Sequence, residues 1–322
     1  MSARFKSGLA AQLDAFVRYR EASGRWNESS YGPNLRLFDA HVADAFPGQT
    51  VLTQEIVDSW CRKRPSEGRN SCISRSYVVV SLVRFLRERG LAQAVAPELP
   101  RRERRLYVPH HFTDDELAAF FAECDSYEPH NFRTAWHLCK KYTLPVFFRL
   151  LYSSGIRTGE ARLLRVENVD LDAGVLRIAE GKGHDERYVA LHESMAALMA
   201  EYDAAVSGLY PGRAYFFPCG RDGHHDRTWV QVNFKELWSR VSGERATAYE
   251  LRHHYAVENI NRLLGRGISG LDDLVYVSRS MGHASVDSTA SYYYSLVPAM
   301  AGIMQERSHP SDAAVIPEVV GR

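Results

Sequence analysis

The sequence predicts a mainly α-helical chain of two domains, with one small β-hairpin in the second. Three observations carry this. Apolar residues recur at helical spacing through most of the 322 residues. One pair of short β-prone runs, Val175–Ala179 and Arg187–Leu191, flanks the turn Gly181-Lys182-Gly183. A cluster of four arginines between Pro100 and Pro109 has no apolar period and divides the chain. Apolar residues make up 45% and charged residues 25%, an ordinary globular composition that excludes a disordered chain, a fibre and a disulfide scaffold.

Residues 1–96 are expected to form an all-helical domain of four or five helices. Leu9, Leu13, Phe16 and Val17 share one face of a helix over 3–22. Leu35, Leu37, Phe38, Val42 and Phe46 place a second over 33–46. Thr53 opens a third that runs through Trp60. The fourth covers 71–89, and Gly90 follows it as a residue that tolerates a positive φ. Residues 97–112 read as an extended basic linker carrying Arg101, Arg102, Arg104 and Arg105. Such a segment can track a phosphate backbone or simply be charged for solubility.

Residues 113–322 form the second domain and its tail. Thr113 caps a helix that opens with Asp114-Asp115-Glu116. Helices follow over 131–153 and after Gly159, then the hairpin, then helices over 193–206, 230–242, 247–264, 272–281 and 285–295. Thr247 and Glu250 have the spacing of a capping box at the start of the 247–264 helix. A further apolar segment, Leu296–Met304, is expected to bury its face on its own domain or on a neighbouring protomer.

The overall charge of +1 hides an asymmetry. Residues 1–112 carry 18 Lys+Arg against 11 Asp+Glu, a net of +7, and the remainder is −6. A basic first part suits a polyanionic partner. No apolar run approaches the roughly 18–20 residues of a membrane span, and Met1–Lys6 opens no signal peptide, so a cytoplasmic protein is expected. Five scattered cysteines read as reduced thiols, without zinc or redox spacing. The pairs His110-His111 and His224-His225 lack matching ligands and read as solvated surface. No metal and no cofactor is implied.

Four short segments stand apart from this background: Ser154-Gly-Ile-Arg157-Thr-Gly-Glu160, Gly181-Lys182-Gly183, Tyr249-Glu-Leu-Arg252-His253-His254, and Met281-Gly282-His283 followed by Thr289-Ala-Ser-Tyr292. In this order and spacing the chain resembles the tyrosine recombinase (phage integrase) family over about residues 113–305. The resemblance implies an N-terminal helical core-binding (SAM-like) domain, a C-terminal catalytic domain, and double-stranded DNA with a specific recombination site as partner. It also implies strand exchange through a 3′-phosphotyrosyl intermediate in a tetrameric synapse, as in integration or mobile-element transfer. Two other readings share much of the pattern. One is relaxation of DNA in the manner of a type IB topoisomerase, and the other is a catalytically inactive DNA-binding relative.

The resemblance assigns Arg157, Lys182, Arg252, His283 and Tyr292 as catalytic, and the residue types suit the chemistry. A guanidinium binds phosphate oxygens through a planar fork and stays charged. Glu160 is three residues after Arg157; it supports the site in the family and is also an ordinary helical ion-pair partner. A lysine between two glycines can approach DNA closely and protonate a leaving oxygen. His283 can hydrogen-bond a phosphate oxygen. Tyr292 lies nine residues after His283, at the family spacing, whereas Tyr293 and Tyr294 would point about 100° and 200° away on a helix. Tyr249 departs from the family, which usually has His there, and is expected only to touch a phosphate. His253 buttresses the fold or touches DNA.

Overall fold

The computed structural model describes residues 5–103, 109–129, 134–179, 186–265 and 271–282. The chain divides into two compact units, Met1–Leu106 and Tyr107–Arg322.

The first unit holds four helices among its described residues: α1 (Ala10–Ala22), α2 (Glu28–Ala45), α3 (Gln54–Cys61) and α4 (Arg69–Arg87). Its core joins Leu13, Phe16, Phe38, Trp60, Leu82 and Val83, all essentially inaccessible to solvent. Two boundaries differ from the sequence reading. The first helix starts at Ala10 because the Asp39 carboxylate on α2 takes the backbone N–H groups of Lys6 and Ser7, at 2.7 and 3.0 Å. Those bonds hold residues 5–9 outside the helix while Phe5 and Leu9 are still buried. The second helix starts earlier, at Glu28, because the Asn27 side chain accepts the Ser30 N–H and caps it; Pro33 falls inside.

Arg75 on α4 is buried and ties the unit together. It donates to Glu67 through Nε and Nη2, at 2.8 and 2.6 Å, and to the Trp60 carbonyl at the end of α3. Its hydrogen bond outweighs the cost of burial and holds the Glu67 carboxyl down at about 2.

The expected linker over 97–112 is not free at either end. Asn70 on α4 exchanges two hydrogen bonds with the Glu103 backbone, at 2.8 and 2.9 Å, and Arg102 donates to Ser74 at 3.0 Å. At the other end Phe112 is a core residue of the second unit, edge-on to Trp238 at 5.2 Å. Arg104 and Arg105 lie outside the described residues.

The second unit is built on α6 (Ala135–Ser154), whose apolar faces meet α5 (Asp114–Asp125), α8 (Glu193–Leu209) and α10 (Glu250–Gly265). Phe147, Phe148, Leu150 and Leu151 on α6 are fully buried, each worth about 1.5–3 kcal/mol of transfer free energy. The Thr113–Glu116 capping box opens α5. A short α7 (Thr158–Arg162) follows α6, then an antiparallel sheet in the order β1 (Val169–Asp170), β2 (Val175–Ile178), β3 (Arg187–Ala190). Ile178 pairs with Arg187. Next come α8, α9 (Arg227–Trp238), α10 and α11 (Leu271–Met281), with α11 packed on α10 and β3. The predicted 285–295 helix and the Leu296–Met304 segment lie outside the described residues.

Two of the four histidines expected on the surface are not there. His225 is 4% exposed and stacks on Trp229 at 3.8 Å. Burial holds its pKa down near 4, so it is an uncharged ring packed as an aromatic. His110 is half-buried, with Nε2 3.0 Å from Glu116 and its ring against Trp238.

Gly155 ends α6 in the left-handed region, φ +62°, and a Cβ there would lie 2.2 Å from the Tyr255 ring on α10. Both facts demand glycine at this turn. Gly155→Ala is expected to lose stability by about 1–2 kcal/mol from the backbone and about 1–3 kcal/mol from overlap. Urea unfolding checks this; a midpoint equal to wild type would show that the turn relaxes freely.

Candidate active site

The turn after α6 carries Ile156, fully buried, then Arg157, which immediately precedes α7. Burying Ile156 and Ala161 fixes this turn against the core and leaves Arg157 partly open, with 27% of its side chain exposed. Glu160 reaches back across the first turn of α7. It accepts the Arg157 N–H at 2.8 Å and Arg157 Nη1 at 2.7 Å. The ion pair expected from the spacing is formed, and the same carboxylate also holds the Arg157 backbone.

Arg252 comes from α10, at a helix start where Glu250 accepts the Thr247 N–H at 2.9 Å, the carboxylate half of the expected capping box. Glu250 is itself buried, and burial raises its pKa against the opposing backbone hydrogen bonds of Thr247 and His110. Arg252 is 1% exposed. It donates through Nη1 to the Gly155 carbonyl and through Nη2 to the Met281 carbonyl at 2.7 Å. It is thus a buried brace joining the α6 turn, α10 and the end of α11.

The end of α11 gathers the cations. A helix C-terminus leaves its last carbonyls without intrahelical donors and carries partial negative charge. Here Ser280, Met281 and Gly282 each offer a carbonyl to a different arginine. Arg187 Nε donates to Ser280 at 2.9 Å, Arg252 Nη2 to Met281 at 2.7 Å and Arg157 Nη2 to Gly282 at 2.7 Å. Residues 157, 187 and 252 are far apart in sequence and meet on one helical turn. Glu160 is the carboxylate among them, 7% exposed, with Arg187 Nη1 and Nη2 at 3.0 and 2.7 Å. Burial pushes the Glu160 carboxyl up, but the hydrogen bonds and charge of Arg187, then Arg157, outweigh it and hold the pKa below the usual range. Three guanidiniums against one carboxylate make a strongly cationic centre, suited to an anion that carries extra charge in a transition state.

Tyr249 lies on the rim, 40% exposed, with its ring edge-on to His253 at 5.4 Å. Burial and then the Arg252 charge hold His253 down near pKa 4, so it is neutral at physiological pH. His254 turns the other way, buried and stacked on Tyr152 at 5.4 Å. Arg101 and Arg102 are exposed on the first unit.

The sequence pattern of the phage integrase family matches residues 111–298, more than half of the chain. The chain belongs to the phage integrase family. Its enzyme class is that of the tyrosine-type site-specific DNA recombinases. The tyrosine recombinase XerC of Pelobacter propionicus is 24% identical over 323 residues, covering 96% of this chain and 99% of that protein. Among solved structures, a XerH site-specific recombinase bound to palindromic difH substrate has a TM-score of 0.57 at 17% identity, covering 94% of this chain and 84% of its own. A lambda integrase dimer bound to a core site has a TM-score of 0.56 at 16% identity, covering 88% of this chain and 94% of its own. At these identities the structures establish the shared fold.

In this member of the family the structure brings together Arg157, Glu160 and Arg252, with Tyr249 and His253 at the edge. Lys182, His283 and Tyr292 lie outside the described residues. The family motifs in the sequence do not single out Arg187. Its signal is the alternation of β3, where Arg187 shares the inward-facing set with Val189 while Tyr188 and Ala190 face out. A charge on an inward strand position needs a partner.

Proposed function

We propose that this chain breaks and rejoins DNA at a specific site through Tyr292, with Arg157 and Arg252 stabilising charge on the phosphate. Tyr292 Oη attacks phosphorus and loses its proton to water; the bond from phosphorus to the 5′-oxygen breaks; Lys182 supplies a proton to that oxygen. The products are a 3′-phosphotyrosyl link and a free 5′-hydroxyl. The 5′-hydroxyl of the partner duplex then attacks phosphorus and gives its proton back to Lys182, while the bond from phosphorus to Tyr292 Oη breaks and Oη regains a proton from water. Bond energy is conserved in the covalent link, so no nucleotide hydrolysis enters. His283 donates a hydrogen bond to a phosphate oxygen, and Tyr249 touches the same phosphate from the rim. Arg101, Arg102, Arg104 and Arg105 contact the backbone of bound duplex. The working assembly is a tetramer on two duplexes, in the cytoplasm.

The observation that supports this most is the meeting of Arg157 and Arg252 on the carbonyls of Met281 and Gly282. His283 is the next residue in the sequence, and on this reading it joins the two guanidiniums at one phosphate. A duplex nicked beside the cleavage position, so that the freed strand diffuses away, tests the reading. Wild type is expected to accumulate a covalent protein–DNA adduct, and two intact sites are expected to yield four-way junctions. Specific binding without any adduct would instead favour an inactive relative.

A further inference from the structure

Arg187 opens β3, five residues after Lys182 in the sequence, and the chemistry above does not use it. Its whole fork is committed to protein. Nη1 and Nη2 hold the two Glu160 oxygens at 3.0 and 2.7 Å, and Nε holds the Ser280 carbonyl at 2.9 Å. Its side chain is 11% exposed, against 27% for Arg157. Its charge is paired bidentately with a buried carboxylate, whereas the bonds of Arg252 described above go to neutral carbonyls.

We propose that Arg187 is a positioning residue for strand cleavage: it clamps Glu160 in the orientation that aims Arg157, and anchors the start of β3 to the end of α11. This rests on the reading of Arg157 as a charge-stabilising group. The geometry gives three reasons. Glu160 bonds both the backbone and the side chain of Arg157, so the carboxylate sets the direction of that guanidinium. A buried carboxylate with one cationic partner removed is poorly compensated, and its orientation is no longer over-determined. Finally, Gly282 takes φ +67°, and a Cβ there would stand 2.7 Å from the Arg187 guanidinium carbon. The glycine before His283 is therefore the space into which Arg187 fits, and the guanidinium lies against the backbone that leads into His283.

Single-turnover cleavage of the nicked duplex at saturating protein tests the role, alongside half-site binding and thermal unfolding. Arg187→Ala is expected to cleave roughly 10- to 100-fold more slowly, the scale of a misplaced catalytic group, with half-site affinity within about twofold of wild type. A second readout separates positioning from bulk stability. The charged groups acting most strongly on Glu160 are Arg187 and Arg157. With Arg187 gone, burial raises the carboxyl and it protonates as pH falls. The Arg187→Ala rate is then expected to begin its fall at a higher pH than wild type as the medium is acidified. Adding Glu160→Gln is expected to remove that extra pH dependence, because the titrating carboxyl is gone. Arg187→Lys keeps a charge without the fork and is expected to fall between wild type and Arg187→Ala in rate. Should Arg187→Ala fail to fold, Arg187→Lys decides alone: slower cleavage at unchanged binding supports the role, and the wild-type rate overturns it. Arg187→Ala with wild-type rate and pH profile also overturns it. Wild type that forms no adduct defeats the recombination reading itself, which is a separate outcome.

Discussion

Tyr292→Phe is expected to bind a recombination half-site as tightly as wild type and to form no covalent adduct at all. The substitution removes only the oxygen that attacks in the proposed reaction and leaves the ring. No neighbour substitutes for it. On a helix Tyr293 and Tyr294 would point about 100° and 200° away from Tyr292. An unperturbed phenol has a pKa near 10, so attack at neutral pH needs the proton to leave as the bond to phosphorus forms. The cationic centre of Arg157, Arg187 and Arg252 favours a phenolate brought close to it. Denaturing electrophoresis on labelled nicked duplex reads the adduct directly. Adduct from Tyr292→Phe, with its loss in Tyr293→Phe, would move the nucleophile by one residue.

What the sequence reveals about this fold follows the range of the interactions involved. Thr113 and Glu116 lie three residues apart and cap α5 by themselves, so that boundary is readable. The same holds for the strands around Gly181-Lys182-Gly183, observed at Val175–Ile178 and Arg187–Ala190. The first helix starts later than its apolar spacing suggests because Asp39 holds Lys6 and Ser7 from more than thirty residues away. His225 looks like a loop histidine until Trp229 covers it one helical turn later. The site divides in the same way. Arg157 with Glu160 is a local pair and was legible as one. That Arg252 is buried, and that Arg187 completes the cluster, depends on where α11 ends relative to α6 and β3. Only the packed fold supplies that distance, although an arginine on the inward face of β3 was a readable warning.

The two proposed charge-stabilising arginines are expected to fail in different ways when removed. Arg157→Ala and Arg252→Ala should each slow cleavage by roughly 10²–10³-fold, the usual loss for one preorganised donor. Their effects on stability should diverge. Arg157 is 27% exposed, and its loss leaves Glu160 still held by both Nη groups of Arg187. Arg157→Ala is therefore expected to unfold in urea close to wild type. Arg252 is 1% exposed and serves two buried carbonyls on separate elements, Gly155 after α6 and Met281 at the end of α11. Arg252→Ala strands both acceptors and opens a gap between α10, α11 and the α6 turn. Each stranded group costs about 1–3 kcal/mol, so the urea midpoint should fall clearly. Arg252→Lys keeps the charge, but one ammonium lacks the planar fork that reaches two carbonyls on different helices. It is expected to recover part of the stability and little of the cleavage. Equal urea midpoints for Arg157→Ala and Arg252→Ala would contradict the brace, and near-normal cleavage by either would take that arginine out of the catalytic centre.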